Sequence, residues 1–207
     1  MPGRYYCFDG IDAGGKTTLI NALYDELRKT SDKVVIQRYP SDKTIGKFIR
    51  ENMGNPGAID PRAYMHLFAA DGLDCEKQMQ DWINDGYIVL GDRHPFSSSF
   101  AYQVPLHSLS SMLDVCRPEY YTPPNVMFIL DIPAAVALSR IAARQGKSDI
   151  YEAVSVTEIE HRRARYSALW TVMTNIIYLD GTRPYTDNMA TVMNIMKQID
   201  NIIFAKN

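Results

Sequence analysis

The sequence predicts an α/β fold in which a doubly wound parallel sheet of about five strands is flanked by helices. Short apolar runs rich in β-branched and aromatic residues alternate along the chain with stretches of helical periodicity. A glycine-rich loop separates the first of these runs from the first helical stretch. Runs that are apolar on both faces are typical of buried parallel strands, so we expect helices on both sides of the sheet.

The apolar runs are the candidate strands of this sheet. They are Tyr5–Phe8, Val34–Tyr39, Tyr87–Gly91, Val126–Asp131 and Ile176–Leu179. The helical stretches lie between and after them. They are Thr17–Lys29, Pro61–Asn84, Leu138–Arg144, Val156–Thr174 and Asn188–Phe204.

Two of the helical stretches carry signals at their ends. Pro61 suits the first turn of its helix, and Asp60 directly before it is a candidate N-cap. The short polar stretch Gln145–Asp149 interrupts an otherwise helical region. We therefore expect a mobile helical lid around residues 140–152.

The bulk composition favours one folded domain over residues 1–207. Hydrophobic residues make up 46% of the chain and charged residues 22%, which is typical of a globular protein. The net charge of −2 does not favour nucleic acid or an anionic membrane as a partner, because proteins that cover themselves with either are usually basic.

The three cysteines, Cys7, Cys75 and Cys116, include no C-x-x-C pair. We expect buried, reduced thiols, and neither a disulfide framework nor a zinc site. The chain begins without an apolar leader, and no apolar stretch approaches the length of a membrane span. These features predict a cytoplasmic protein.

The glycine-rich loop, Gly10–Thr17, fits the pattern G-x-x-x-x-G-K-[ST] between a predicted strand and a predicted helix. Its backbone N–H groups and the helix N-terminus favour bound phosphates. Lys16 is positioned to contact the β- and γ-phosphates of ATP, and the Thr17 hydroxyl to bind Mg²⁺. The expected nucleotide-binding residues of the loop are Gly10, Gly14, Gly15, Lys16, Thr17 and Thr18.

Three classes of protein carry such a loop: small-molecule kinases, GTPase-type switches, and ATPases that act on macromolecules. A switch commonly recognises guanine through Asn-Lys-x-Asp, and this sequence contains no Asn-Lys dipeptide. No appended element of a macromolecular ATPase is visible in 207 residues. The kinase class is favoured by the residues that follow the third strand.

Asp92 and Arg93 end the third predicted strand. Ligands of open parallel sheets bind beyond the carboxyl ends of the strands, so both side chains are expected in the same cleft as the glycine-rich loop. An arginine can bind a phosphate through two hydrogen bonds, and an aspartate can orient that arginine or hold metal-bound water. A surface ion pair is the alternative for these two residues.

The order and spacing of several motifs resemble the thymidylate kinase family along most of the chain, up to the turn at Asp180. The motifs are Gly10–Thr17, Arg38-Tyr39-Pro40, Leu67-Phe68-Ala69-Ala70, Gly91-Asp92-Arg93-His94 and Ala101-Tyr102-Gln103. The resemblance implies a P-loop kinase that transfers phosphate from ATP to dTMP with Mg²⁺, and a homodimer that packs through the region of Pro61–Asn84.

The resemblance also implies roles for individual residues. Arg93 would hold the dTMP phosphate, with Asp92 as its acidic partner near Mg²⁺ and Asp12 as a carboxylate near the acceptor. Phe68 would stack on thymine, a role open to any flat apolar ring, although the helix core is the alternative for this side chain. Ser98 and Tyr102 fall where the family recognises base and sugar. Arg140 and the loop Thr182-Arg183-Pro184 would cover the two sides of adenine.

The family supplies a catalytic arginine from the P-loop or from the lid. Ala13 occupies the P-loop position here, so Arg144 and Lys147 of the predicted lid, with Tyr151 following, become the candidates. Solvated ends of a helix are the alternative for these residues. The cluster Arg162, Arg163 and Arg165 is interpreted mainly as helix surface and structural ion pairs.

Two departures from the family concern the acceptor. Gly72 stands where the family usually has an arginine that recognises the base. The loop Pro40-Ser41-Asp42-Lys43 is one residue short of the family pattern, so Lys43, or Arg50 in the following helix, is a candidate for contacting the acceptor phosphate. A kinase for another deoxynucleoside monophosphate or for a deoxynucleoside, and a nucleotide-binding regulator with low turnover, remain the alternatives to a dTMP kinase.

If the lid supplies the catalytic charge, Arg144→Ala should lower kcat on the order of 100-fold. The reason is that the negative charge neutralised by the arginine develops on the phosphoryl group during transfer. Ground-state ATP binding should change far less. Steady-state kinetics together with calorimetric ATP titration measure both quantities. An equal loss in Lys147→Ala with none in Arg144→Ala would assign the role to the lysine, and no loss in either variant would contradict the lid hypothesis.

Overall fold

The computed structural model of the chain describes residues 3–55, 57–103, 109–143 and 155–204. Its centre is a five-stranded sheet with the strand order β2-β3-β1-β4-β5, in which every neighbouring pair is parallel. The strands are β1 (Arg4–Asp9), β2 (Val34–Arg38), β3 (Ile88–Asp92), β4 (Val126–Asp131) and β5 (Ile176–Asp180).

Helices connect the strands and cover both faces of the sheet. They are α1 (Lys16–Arg28), α2 (Thr44–Met53), α3 (Ala63–Asn84), α4 (Pro95–Gln103), α5 (Leu109–Val115), α6 (Ala134–Ala143), α7 (Val156–Ser167) and α8 (Tyr185–Phe204). Short 3₁₀ turns occur at Pro118–Tyr120 and Leu169–Thr171. None of the described helices is long and apolar enough to span a membrane.

The alternation of side chains along β1 divides the core into two parts. Tyr6 and Phe8 point to one face, where they pack with residues of α1 and α8 such as Leu23 and Val192. Tyr5 and Cys7 point to the other face, where α3, α4, α5, α6 and α7 contribute the packing residues. All six residues of β1 are buried, which explains why this strand is apolar on both faces.

The predicted fold class is confirmed, and the five predicted strands agree with the observed ones to within one residue at each end. The helix predicted over Val156–Thr174 ends earlier, at Ser167, where a 3₁₀ turn follows. Three other helices begin before their predicted starts, namely α1 at Lys16, α6 at Ala134 and α8 at Tyr185.

The predicted capping of the long helix α3 is wrong. The helix begins at Ala63, with Arg62 in the N-cap position. The Asp60 carboxylate instead accepts hydrogen bonds from the backbone and side chain of Arg62. The backbone carbonyl of Asp60 accepts a hydrogen bond from Ala63 N at 2.8 Å. The chain therefore makes one turn before the helix begins.

The helix α4 was not among the helical stretches predicted from periodicity. Its sequence, Pro-Phe-Ser-Ser-Ser-Phe-Ala-Tyr-Gln, contains three serines in a row, and serine often competes with the helix backbone for hydrogen bonds. Ser97 and Ser99 are buried, so tertiary contacts and not an apolar stripe hold this segment against the sheet.

The central position of β1 determines where a ligand can bind. Strands β3 and β4 lie on either side of it, so the residues that follow β1 and β3 meet at the same edge of the sheet. The residues after β1 form the glycine-rich loop, and those at the end of β3 are Asp92 and Arg93. Their proximity follows from the topology.

Candidate active site

The glycine-rich loop turns tightly against the end of β4. Gly10 has a φ of 128°, and a Cβ at this position would lie 2.5 Å from the backbone oxygen of Leu130. No other residue fits there without displacing backbone. The loop thus lies directly beside the sheet and leads into α1, whose N-terminus begins at Lys16.

Lys16 is folded inward over its own loop. Its Nζ donates hydrogen bonds to the carbonyl oxygens of Gly10, at 2.9 Å, and Ile11, at 2.8 Å. Burial, and next the positive charge of Arg93, lower the pKa of Lys16 to about 8, although the nearby carboxylates Asp12 and Asp9 oppose that shift. The Lys16 ammonium group therefore loses its proton more readily than an exposed lysine does, until an anion binds.

Thr17 and Asp92 lie next to each other at the floor of this loop. The Thr17 hydroxyl donates to the carboxylate of Asp92 at 3.2 Å, so Asp92 lies in the same cleft as the loop, where the sequence predicted it. Hydroxyl and carboxylate oxygens are suitable ligands for Mg²⁺. Among the described residues, no group of three or more His, Cys, Asp or Glu side chains could hold a metal ion by itself. A magnesium ion here would need the phosphates of a nucleotide as further ligands.

Asp9, the last residue of β1, is completely buried and accepts six hydrogen bonds. Each carboxylate oxygen accepts three of them. The donors to Oδ1 are Gly10 N at 2.9 Å, Arg93 Nη1 at 3.2 Å and Tyr166 OH at 2.7 Å. The donors to Oδ2 are His94 N at 3.3 Å, Ser98 Oγ at 2.9 Å and Ser97 Oγ.

These hydrogen bonds connect β1 and the loop that follows it with three other segments: the end of β3, the helix α4 and the helix α7. Asp9 is not among the candidate residues predicted from the sequence. Its only local signal is an acidic residue at the end of an apolar strand, directly before Gly10. A buried carboxylate needs such donors, because a charge without them would be costly in the protein interior.

Arg93 connects this carboxylate with a second one. Its guanidinium contacts Asp9 through Nη1 and Asp12 through Nη2, and Nη1 also lies 3.3 Å from Gly10 O. The residue has a φ of 76°, in the left-handed region that non-glycine residues rarely occupy. This backbone conformation directs the side chain back across the end of β1, into the cleft that the sequence predicted.

Asp12 also accepts a hydrogen bond from Tyr102 OH at 2.8 Å. Burial alone would raise the pKa of Asp12, but the charges of Arg93 and Lys16 outweigh it and hold this pKa below its ordinary value. Asp12 thus stays a carboxylate facing two cations.

A cavity of about 250 Å³ opens beside these residues. It brings together six residues predicted for the acceptor: Asp12, Arg50, Phe68, Arg93, Ser98 and Tyr102. Its full lining is Asp12, Tyr39, Pro40, Arg50, Met53, Phe68, Asp71, Arg93, Pro95, Ser98 and Tyr102. We call it the acceptor cavity. Phe68 is part of this lining and is not confined to the helix core.

Position 72 has no room for a side chain. A Cβ on Gly72 would lie 2.8 Å from the ring of Pro95 and 2.8 Å from Cε1 of Tyr121. Next to it, the buried Asp71 accepts from the backbone N–H of Ser41 at 2.7 Å and from the Ser41 hydroxyl. Burial raises the pKa of Asp71, against the effect of these hydrogen bonds.

The basic residues expected near the acceptor, Arg38, Lys43 and Arg50, lie in three different places in the structure. Arg50 lines the acceptor cavity and donates to the carbonyl oxygens of Pro40 and Ser41. Arg38 is exposed and lines the phosphate side of the cleft. Lys43 instead contacts Asp74 of α3 and lines neither.

A second cavity, of about 300 Å³, lies on the other side of the glycine-rich loop. Arg140 spans it by donating to Ala13 O at 3.1 Å and Gly181 O at 3.0 Å. We call it the donor cavity. Arg183, predicted to lie near ATP, also lines it. Thr182, with the same prediction, donates to Asp180 and does not line it. The other lining residues are Ala13, Gly14, Gly15, Thr18, Leu19, Leu130, Gly181, Tyr185 and Asn188.

A groove of about 310 Å³ over the glycine-rich loop joins the two cavities. It shares Ala13, Gly14 and Gly15 with the donor cavity, and Asp12 and Arg93 with the acceptor cavity. A single cleft therefore runs from one ligand-sized cavity, across an anion-binding loop, to another.

The basic residues of α7 form the structural ion pairs predicted for them, but none of the three is an exposed surface residue as the prediction also had it. Arg163 makes two hydrogen bonds to the carboxylate of Asp131, and Arg165 donates to Ala101 O at 2.6 Å. Arg162 is buried, and its guanidinium lies 4.6 Å from the ring centre of Tyr102. Three further candidates, Arg144, Lys147 and Tyr151, lie outside the described residues, as does most of the predicted lid.

Comparisons with known proteins agree with this geometry. A family model described as thymidylate kinase matches residues 8–192. A thymidylate kinase of Thermosipho africanus is 28% identical over 201 residues, which cover 94% of this chain and 98% of that protein. A probable thymidylate kinase of Methanothermobacter thermautotrophicus is 34% identical over 173 residues, covering 81% of this chain and 84% of the relative.

A solved structure of a thymidylate kinase from Candida albicans superposes with a TM-score of 0.77. The superposition covers 97% of this chain and 93% of that one, at 18% sequence identity. It supports the fold described above.

The lowered pKa of Lys16, about 8, leads to an expectation for ATP binding. Bound phosphates favour the ammonium form, so above pH 8 the ligand-free protein must take up a proton when ATP binds. The Kd for ATP should therefore rise with pH, by up to about tenfold per unit beyond the pKa. Titration calorimetry between about pH 7.5 and about pH 9.5, in buffers of different ionisation enthalpy, measures the Kd and the proton uptake.

Lys16→Met is the control for this titration, since it should bind ATP more weakly but without that pH dependence. An unchanged Kd across the range in the unmodified protein would contradict the expectation.

Proposed function

Because the chain belongs to the thymidylate kinase family, we propose that it transfers the γ-phosphate of ATP to dTMP, giving dTDP for DNA precursor synthesis. The main support from the geometry is the continuous cleft. The groove over the glycine-rich loop meets the donor cavity at Ala13, Gly14 and Gly15, and it meets the acceptor cavity at Asp12 and Arg93. A phosphoryl group can pass directly between two nucleotides only if their phosphates meet at one point, and this arrangement provides such a point.

On the donor side, adenine would occupy the donor cavity between Arg140 and Arg183. The triphosphate would follow the groove over the backbone N–H groups of the loop. Lys16 would then exchange the carbonyl oxygens of Gly10 and Ile11 for phosphate oxygens. The loop residues Gly14, Gly15 and Thr18 line this path.

Mg²⁺ would be held by Thr17 and Asp92 together with the ATP phosphates, as their oxygen ligands and proximity suggest. When bound, the ion neutralises charge on the β- and γ-phosphates.

On the acceptor side, Arg93 would bind the phosphate of dTMP. Its guanidinium now contacts Asp12 and Asp9, so an incoming phosphate would take over part of these interactions. Phe68 would stack on the pyrimidine, and Tyr102 would lie beside the sugar. Arg50 lines the same cavity and is the better candidate than Lys43 for a further phosphate contact.

Transfer needs no covalent intermediate with the protein. A phosphate oxygen of dTMP would attack the γ-phosphorus in line, and the chain would position both nucleotides and neutralise the charge that spreads over the transferred group. Lys16 and Arg93 line the groove over the glycine-rich loop, as do Arg38 and Arg50. The remaining charge would come from Arg144 or Lys147, and closure of residues 140–152 over the nucleotides would exclude water.

We also propose a homodimer formed through α3, as the resemblance implies. Leu73 on this helix is 44% exposed, and Phe48 on the neighbouring α2 is 47% exposed. A partner subunit would remove these apolar side chains from water.

The proposed acceptor is tested by measuring kcat/KM for dTMP, dUMP, dCMP, dGMP, dAMP and UMP under one set of conditions. We expect dTMP to be the best acceptor. Because Gly72 carries no arginine to hold the base, dUMP and 5-substituted dUMP should be used more readily than by a strict thymidylate kinase. UMP should be poor if Tyr102 crowds the 2′ position.

A control variant distinguishes loss of phosphate transfer from a change in acceptor preference. Lys16→Ala should abolish transfer to every acceptor while the protein stays folded. A preference for dCMP, dGMP or dAMP over both dTMP and dUMP would make the proposed acceptor wrong. Phosphate transfer to none of the six monophosphates would contradict the proposed reaction.

A further inference from the structure

A buried amide lies in the wall of the donor cavity. Among the described residues that line this cavity, Asn188 is the one buried polar side chain, at 4% exposed. It belongs to the first turn of α8, and its Nδ2 donates a hydrogen bond to the backbone oxygen of Asp180 at 2.8 Å. A carbonyl oxygen can only accept hydrogen bonds, so this contact fixes which end of the amide is the nitrogen and which is the oxygen.

The oxygen end of this amide is open to a ligand. Within the described ranges of the chain, no group donates a hydrogen bond to Oδ1 of Asn188, and this atom is not one of the unpartnered side-chain atoms that the protein encloses completely. Because the residue is otherwise buried and lines the donor cavity, Oδ1 is available to a molecule in that cavity. Asn188 thus offers a hydrogen-bond acceptor in a fixed orientation.

The other polar groups of the donor cavity do not offer the same. Arg140 and Arg183 carry only donors. The two backbone oxygens that Arg140 contacts in this cavity already accept hydrogen bonds from it. Thr18 and Tyr185 are exposed, and their hydroxyl groups can donate as well as accept, so neither distinguishes a donor from an acceptor on a base.

We propose that Asn188 recognises the adenine of ATP, with Oδ1 accepting a hydrogen bond from the exocyclic 6-amino group. This makes Asn188 a specificity-determining residue that selects adenine over guanine as the base of the phosphate donor. The second N–H of Nδ2 can donate to N7 at the same time, which is the paired contact that asparagine makes with adenine. The inference rests on the proposed function, because it places the donor base in the donor cavity.

The selection follows from the orientation of the amide. Guanine carries a carbonyl oxygen, O6, where adenine carries the amino group, so O6 would face Oδ1 and two hydrogen-bond acceptors would meet. A half-turn of the amide would present a donor to O6, but it would also place Oδ1 against the backbone oxygen of Asp180. Either arrangement leaves a buried polar group without a partner, and such a mismatch discriminates strongly between ligands.

The first test changes the nucleotide and leaves the protein unmodified. Titration calorimetry measures the Kd of ATP, GTP, ITP and purine riboside triphosphate, the last of which has only a hydrogen at position 6. ATP should bind about tenfold more tightly than purine riboside triphosphate, the value of one hydrogen bond. GTP and ITP should bind more weakly still. Because ITP lacks the 2-amino group of guanine, its weak binding would assign the effect to O6.

The second test removes the amide with Asn188→Leu and Asn188→Ala. In both variants the difference between ATP and purine riboside triphosphate should disappear, and the preference for ATP over GTP should fall about tenfold. A purely structural role of Asn188 would instead weaken all four nucleotides by the same factor. Thermal denaturation shows whether each variant is folded.

Thr191 provides a matched control from the same helix. Its hydroxyl donates to the backbone oxygen of Asp187 at 3.0 Å, and the residue is exposed and does not line the donor cavity. Thr191→Ala therefore removes one side-chain hydrogen bond to a backbone oxygen without changing the cavity. It should keep both the preference for ATP over GTP and the difference between ATP and purine riboside triphosphate.

Steady-state kinetics with dTMP as the acceptor give a further readout. The ratio of kcat/KM for ATP and GTP should fall in the Asn188 variants as the ratio of affinities does. The loss should appear mainly in the KM for ATP, because the contact with the base is the same before and during phosphate transfer.

Three outcomes would overturn the inference while leaving the proposed function intact. They are equal affinities of the unmodified chain for ATP and purine riboside triphosphate, an unchanged preference for ATP over GTP in folded Asn188 variants, and an equal loss of this preference in Thr191→Ala. Absence of phosphate transfer to dTMP from any of the four triphosphates would overturn the proposed function itself, and the inference with it.

Discussion

The site depends on one buried carboxylate at the end of the central strand. Asp9 accepts hydrogen bonds from the glycine-rich loop, from Arg93 and His94, from two serines of α4 and from Tyr166 of α7. A charge without exposure to water must be surrounded by donors, and here the donors come from the segments that form both halves of the cleft. The carboxylate thus fixes the distance between the donor and acceptor sides.

Arg93 shows how this constraint becomes a functional arrangement. Its backbone occupies a conformation that is rare outside glycine, and its guanidinium is held by Asp9 and Asp12. Such strain is common where a side chain must be aimed at a ligand. The two carboxylates keep the guanidinium at the junction of the acceptor cavity and the phosphate groove, so that a phosphate needs to displace contacts but not to reorganise backbone.

The sequence alone was sufficient to predict those elements whose signals lie in neighbouring residues of the chain. The strands and the glycine-rich loop could be predicted, as could the proximity of Asp92 to Thr17, because parallel topology brings the strand ends together. Asp9 could not be found in this way, since its importance comes from donors up to 157 residues away in the chain. The contact of Lys43 with Asp74 and the space taken by Pro95 and Tyr121 beside Gly72 likewise depend on tertiary packing.

The most direct test of the dependence on Asp9 is kcat/KM for dTMP in Asp9→Asn, with Asp131→Asn as the control. Asp131 also ends a strand and holds an arginine, Arg163, but it lines neither cavity. An amide in place of Asp9 turns one acceptor into a donor that opposes its neighbours. The expected loss is on the order of 100-fold in kcat/KM, with little loss in Asp131→Asn. A folded Asp9→Asn protein with unchanged kcat/KM would contradict the account.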